Sequence, residues 1–150
     1  MVTVLRGPMK QSDRVLIQYE CEQLILRYAH LNDLGDWQGL ANTFTEDATF
    51  SRPSAPEDII RGRRNILDSF LARKPGQTVH VVTNIMVTAV SATEATSRCI
   101  IQLFPARSPA EGGVALHARK TPFIGGSLDR FQCEKDRWLF SERRGFLTIK

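Results

Sequence analysis

The stretch from Thr78 to Val90 constrains this chain most. It is rich in β-branched residues, and in a strand successive side chains point to opposite faces. One face, made of Val79, Val81, Thr83, Ile85, Val87 and Ala89, is almost wholly apolar. The other carries Thr78, His80, Val82, Asn84, Met86, Thr88 and Val90, and no Lys or Glu. A solvent-facing side would be charged. One dry face and one mixed, uncharged face predict a sheet that curves around a pocket, with His80, Asn84 and Met86 on its inner side. Ser91 to Thr93 reads as the turn, and Ala95 to Phe104 as the return strand. A hairpin centred on Ala92 sets Gln102 opposite Val82 and Phe104 opposite His80, so both should enter the same space.

Upstream, the period changes from two to between three and four. Ile17, Cys21, Leu24, Tyr28 and Leu31 fall on one helical face, with Ser12 or Asp13 as the expected cap. Gly35 suits a left-handed helix end. Asp36 suits the N-cap of a second helix, continued by Trp37, Leu40, Ala41 and Phe44. Asp47 to Phe50 reads as a short strand and Arg52 to Asp58 as a polar loop. Gly62 to Lys74 reads as a third helix with Ile66, Leu67, Phe70 and Leu71 inward, ended by Pro75-Gly76. Arg107 to Lys120 is a polar loop in which Val114 to Leu116 can extend a strand. Phe123 to Cys133 and Trp138 to Thr148 form a second hairpin around Glu134 to Arg137. Helices followed by an antiparallel meander predict an α+β fold, with helices on one face of a sheet.

The 150 residues suit one domain, residues 1–150, with residues 1–11 expected as a frayed tail. With 42% hydrophobic and 24% charged residues, the chain can bury a core, which excludes disorder. A net charge of +4 is too mild to suggest a nucleic-acid partner. Cys21, Cys99 and Cys133 are odd in number and lack metal-pair spacing, so they read as small buried residues of a reducing, cytoplasmic protein. The longest charge-free run, Pro75 to Thr93, contains Gln77, Thr78, His80, Thr83 and Asn84, so no membrane span is expected. Met1 to Lys10 lacks the apolar stretch of a secretion signal. Neither a phosphate-binding glycine loop nor a G-x-S-x-G element occurs, and no metal or other cofactor is expected.

Tyr28 lies on the inner helical stripe, and Asp33 sits where that helix is about to turn. A carboxylate there could accept a hydrogen bond from His80 and fix its tautomer, leaving the other ring nitrogen as a base.

The run Tyr28-x4-Asp33-x2-Asp36-Trp37-x6-Phe44-Thr45-Glu46-Asp47-Ala48 resembles the first helices of SnoaL-like proteins, in the nuclear transport factor 2-like superfamily. Gly62 before a helix, Thr78-Val79-His80 with Asn84, and Trp138-Leu139-Phe140-x2-Arg143 continue the resemblance, from about Ser12 to Thr148. It implies three N-terminal helices packed in a cone against a strongly curved, mostly antiparallel sheet with an internal pocket, commonly a homodimer through the sheet. The superfamily includes scytalone dehydratase, a bile-acid dehydratase, a hexachlorocyclohexane dehydrochlorinase, steroid isomerases and polyketide cyclases. Its dehydratases and dehydrochlorinase use a His–Asp pair, which His80 and Asp33 resemble. Tyr28 matches a pocket tyrosine, and Arg143 a pocket arginine, with Arg144 beside it as the alternative. Gln102 stands near a position where some dehydratases carry a second His or an Asp.

The resemblance implies a cofactor-free lyase or isomerase acting on a small hydrophobic, cyclic molecule. His80, Asp33 and Tyr28 form the catalytic set, and Arg143, Asn84, Gln102, Phe104 and Met86 the substrate contacts. The alternatives are a non-catalytic ligand-binding or dimerisation module, or a structural subunit resembling the small subunit of ring-hydroxylating dioxygenases. The apolar face of Val79, Val81, Ile85 and Val87 predicts a second copy of the chain against the sheet.

Overall fold

A computed structural model describes residues 7–73, 77–107, 117–118 and 122–149. Three helices, α1 (Gln11–Leu34), α2 (Trp37–Ala41) and α3 (Arg63–Leu71), pack on one sheet. Its strands are β1 (Phe44–Arg52), β2 (Ala55–Arg61), β3 (Gln77–Ala89), β4 (Glu94–Arg107), β5 (His117–Ala118), β6 (Phe123–Glu134) and β7 (Arg137–Ile149). The spatial order is β2-β1-β7-β6-β4-β3, with β5 beside β4. Every pairing is antiparallel except that of β1 with β7, and the sheet stays open. The fold is therefore the expected α+β architecture, with a β1–β2 hairpin inserted before the third helix.

The α1 stripe buries Ile17, Cys21, Leu24, Ile25, Tyr28, Ala29 and Asn32. Its N-cap is Lys10, without a side-chain bond, and Ser12 and Asp13 lie inside the first turn. The helix starts earlier than its polar residues suggest, because Met9 already packs against the core. Gln11, counted in the expected tail, is the first residue of the helix. Gly35 ends α1 at φ 72°, and Asp36 caps α2 by accepting from the Gly39 N–H at 2.8 Å.

Phe44 does not continue α2. Thr43 turns its N–H and hydroxyl back onto the Leu40 carbonyl, at 3.0 and 2.6 Å, which closes the helix. Phe44, Ala48 and Phe50 then face inward from β1. The expected loop from Arg52 to Asp58 is instead a two-residue turn, Pro53-Ser54, followed by β2. As an edge strand exposed along most of its length, β2 has the polar composition of a loop. In α3, Ile66 and Phe70 are buried while Leu71 is 60% exposed, so the inner stripe is narrower than expected. The expected helix end at Pro75-Gly76 and the extension at Val114 to Leu116 lie outside the described residues. Lys135 and Asp136, at φ 50° and 61°, make the tight turn of the second hairpin, as its spacing predicts.

Aromatic rings fill the centre. Phe44, Phe50, Phe70, Phe131 and Phe140 are all buried, and Tyr28 meets Phe44 and Phe140 edge-on at 5.9 and 5.7 Å. Each such buried side chain contributes about 1.5–3 kcal/mol.

A bulge in β3 decides which residues reach the interior. Asn84 and Ile85 stand opposite the single residue Cys99, between the pairs Thr83–Ile100 and Met86–Arg98. Asn84 adopts φ 51°, a left-handed conformation that Asn tolerates better than most residues. The extra residue reverses the alternation. Ile85 and Val87 turn inward to the core, whereas Asn84 faces out and Met86 is 73% exposed. Near the turn the register is the expected one, Ala89 opposite Ala95. Beyond the bulge it slips by one, so His80 pairs with Leu103, Val81 with Gln102 and Val79 with Phe104.

Gly125 and Gly126 let β6 bend beside its neighbours. A Cβ on Gly126 would lie 2.0 Å from the Cys99 carbonyl oxygen. Gly126→Ala should therefore destabilise the fold by about 1–3 kcal/mol, the usual cost of overpacking. Urea denaturation would read it as a lower midpoint at unchanged slope.

Candidate active site

A cavity of about 240 Å³ opens between the end of α1, the β1–β2 turn, α3 and the inner face of the sheet. Phe50, Phe70, Ile101, Leu103, Phe123 and Leu147 supply its apolar wall. Tyr28, Asn32, Ser51, His80 and Arg143 bring polar groups to it.

The structure brings Asp33 and His80 together. Asp33 projects from the last turn of α1 against β3, where its carboxylate spans one residue of the strand. Oδ2 accepts the His80 backbone N–H at 2.9 Å, and Oδ1 lies 2.5 Å from His80 Nδ1. Thr78 adds a hydroxyl to Oδ1 at 3.3 Å. Two of these contacts fix the position of the strand, and the third fixes the ring. With Nδ1–H directed at the carboxylate, the lone pair of a neutral ring resides on Nε2. The His80 side chain is only 13% exposed, and that of Asp33 24%.

Tyr28 is buried at the cavity's inner end, and among the described residues its hydroxyl has no hydrogen-bond partner. Burial pushes its phenol above the ordinary value, against the charges of Arg143, Arg52 and Arg73. It therefore stays protonated, able to donate a hydrogen bond.

Of the two adjacent arginines, Arg143 is the inward one and Arg144 is exposed. The Arg143 guanidinium lies over the rings of Tyr28 and Phe140, at 4.3 and 4.8 Å. Its Nη1 donates to Asp129 Oδ2 at 2.9 Å, and the Ser97 and Ser127 hydroxyls donate to the same oxygen at 3.1 and 3.0 Å. Asp129 Oδ1 is buried and has no partner among the described residues. Burial pushes the Asp129 carboxyl up, with Arg143 and the two serines opposing. Burial also works against the Arg143 charge, but its neighbours, the Asp129 carboxylate foremost, outweigh it and hold the guanidinium charged. Arg143 is thus a neutralised element of the cavity floor.

Four expected contacts are not brought to the cavity. Asn84, in the bulge, and Met86, next to it, lie on the outer face. Gln102 and Phe104 sit on the face opposite Ile101 and Leu103, which hold the inward positions instead. A one-residue slip moves every side chain to the other face. Asn84 itself carried the signal, since an Asn within a β-branched run is a candidate for a left-handed bulge. Arg52, Arg73 and Asn32 reach the site without any such sign. Arg52 opens the stretch that reads as a polar loop, and Arg73 falls near the end of the stretch that reads as the third helix.

The SnoaL-like domain family matches residues 13–144. The chain belongs to that family. A sequence search among curated proteins finds no match. Solved structures reproduce the SnoaL-like fold at low identity. A scytalone dehydratase candidate from Novosphingobium aromaticivorans is 20% identical over 93% of this chain and 89% of that one, with a TM-score of 0.76. A type 2 hexachlorocyclohexane dehydrochlorinase is 16% identical over 93% and 90%, with a TM-score of 0.73. A protein of unknown function with a cystatin-like fold, from Nostoc punctiforme, is 15% identical over 89% and 92%, at 0.68. Identities this low carry the SnoaL-like fold and leave the chemistry to the residues of the site. No helix among the described residues is long and apolar enough to cross a membrane.

Proposed function

We propose that this SnoaL-like protein is a lyase that eliminates water or a halide from a small hydrophobic ring compound. His80 is the base, and the observation that carries the reading is its Nδ1 contact with Asp33, which leaves Nε2 as the free ring nitrogen of a residue that lines the apolar cavity. Nε2 takes a proton from carbon, and the C–H electron pair becomes a C=C bond. The neighbouring carbon–oxygen or carbon–halogen bond breaks, and the pair departs with the leaving group. Tyr28 donates a hydrogen bond to the departing oxygen or to a conjugated carbonyl. The proton on His80 leaves with hydroxide as water, or with halide as the acid, and the protein is restored. Asp33 acts through His80: it is a positioning residue that stabilises the imidazolium formed on the way. The dehydratase and dehydrochlorinase names among the structural neighbours support the elimination class.

The test is a screen of the purified chain against cyclic hydroxy-ketones, epoxides and halogenated rings, read by mass spectrometry. Loss of water or of acid from one class is the expected result. If nothing reacts, yet such compounds bind and His80→Gln weakens their binding, the chain is a ligand-binding module instead.

A further inference from the structure

Two arginines beside the cavity have no counter-charge among the described residues. Arg52, at the end of β1, donates from Nη2 to the Ser69 carbonyl at 2.8 Å and to the Ser69 hydroxyl at 3.2 Å. Arg73, just past α3, donates from Nη1 to Asn32 Oδ1 at 3.2 Å. Both guanidinium groups lie over the Phe70 ring, at 4.7 and 5.6 Å from its centroid, and both line the cavity. Among the described residues neither forms an ion pair with a carboxylate. The nearby carboxylates are already engaged: Asp129 holds Arg143, and Asp33 holds His80. Burial, and the neighbouring Arg73 charge, pull the Arg52 guanidinium below its ordinary value.

Like charges over one ring repel, and their aromatic support compensates only in part. Each guanidinium uses one nitrogen for its anchor and leaves further N–H groups free. These planar forks match the two oxygens of a carboxylate, and such charge-assisted pairs are the stronger hydrogen bonds.

We propose that the cavity takes an anionic hydrophobic ligand, a ring-bearing carboxylic acid whose carboxylate lies between Arg52 and Arg73 while its ring fills the apolar space toward His80. This names the substrate class of the lyase reading and rests on the same cavity. The carboxylate anchors one end of the molecule, and so selects which ring carbon faces Nε2. Arg143 plays no part in the recognition, because Asp129 already neutralises it.

The experiment measures binding to the full chain by titration calorimetry. The probes are 2-naphthoate, 1-naphthylacetate and adamantane-1-carboxylate, each against its methyl ester, at low and high salt. At least one acid should bind about tenfold tighter than its ester, with the preference shrinking at high salt. Arg73→Met, at an exposed position, should remove most of the preference and leave ester affinity unchanged, with a thermal melt showing that it remains folded. Arg52→Met should do the same, with a thermal melt showing that it remains folded. Equal binding of acids and esters, no binding of any acid, or a full acid preference in Arg73→Met would each overturn the proposal. Turnover does not enter this measurement. Absence of an acid preference in the parent protein, with elimination seen in the substrate screen, overturns the anion site alone. An acid preference in a protein that eliminates nothing overturns only the role given to His80.

Discussion

His80→Gln should lower the elimination rate by about 10²–10⁴-fold, the usual contribution of a positioned general base. Glutamine fills similar space and still forms hydrogen bonds, but cannot carry the proton. The backbone N–H that ties residue 80 to Asp33 survives the change, so the strand should not move. Ligand affinity should stay within about tenfold, roughly 1.4 kcal/mol. The effect should therefore fall on kcat and spare the dissociation constant. Asp33→Asn should cost less. Its carbonyl oxygen can still accept the His80 backbone N–H, but its amide can donate toward Nδ1 and favour the tautomer with hydrogen on Nε2. A matched loss of binding and turnover in His80→Gln would mean that the imidazole holds the ligand and does no chemistry.

Asp129→Ala should be the most damaging single change to stability. It leaves the Arg143 guanidinium buried without a counter-charge, and breaking a buried pair this way costs about 3–5 kcal/mol. In a chain of this length that lowers the melting temperature by on the order of 10 °C. The double variant Asp129→Leu with Arg143→Met should recover much of the loss, because apolar residues of similar volume often replace a buried pair at little cost. A single variant as stable as the parent would show that Arg143 finds another partner, or water. In the double variant Tyr28 loses the cation above its ring, so a recovered melting temperature need not restore activity.

The architecture was legible where one residue type carries one instruction. Gly35 and Asp36 marked the helix corner, Lys135-Asp136 fell in the expected hairpin turn, and the four-three spacing from Ile17 to Tyr28 gave the buried stripe. The site was legible for the residues that precede the bulge in β3 or lie on α1. Asp33 meets His80, and Tyr28 and His80 line the cavity, as the helical stripe and the family resemblance implied. Illegible was the count of residues across a ladder. Gln102 and Phe104 were aligned correctly from the turn, and the bulge at Asn84 displaced them by one. Periodicity assumes an unbroken pleat, so one unpaired residue falsifies everything on its far side. Arg52 and Arg73 were hidden for another reason. They converge only in space, from the end of a strand and the end of a helix, and no local pattern records that they share Phe70.

The bulge also lets β3 turn opposite parities of residue inward along its length: Ile85, Val87 and Ala89 on one side of it, Val82 and His80 on the other. Removing Asn84 would leave Ile85 opposite Cys99 and Thr83 opposite Ile100 in a simple pleat, with Val82–Ile101 and His80–Leu103 paired and facing inward as they are now. An unbroken pleat that kept every residue, counted from the buried Ala89, would instead carry His80 to the outer face, away from Asp33 and the cavity. One residue of length, set aside in the bulge, therefore decides which side of the sheet the imidazole occupies.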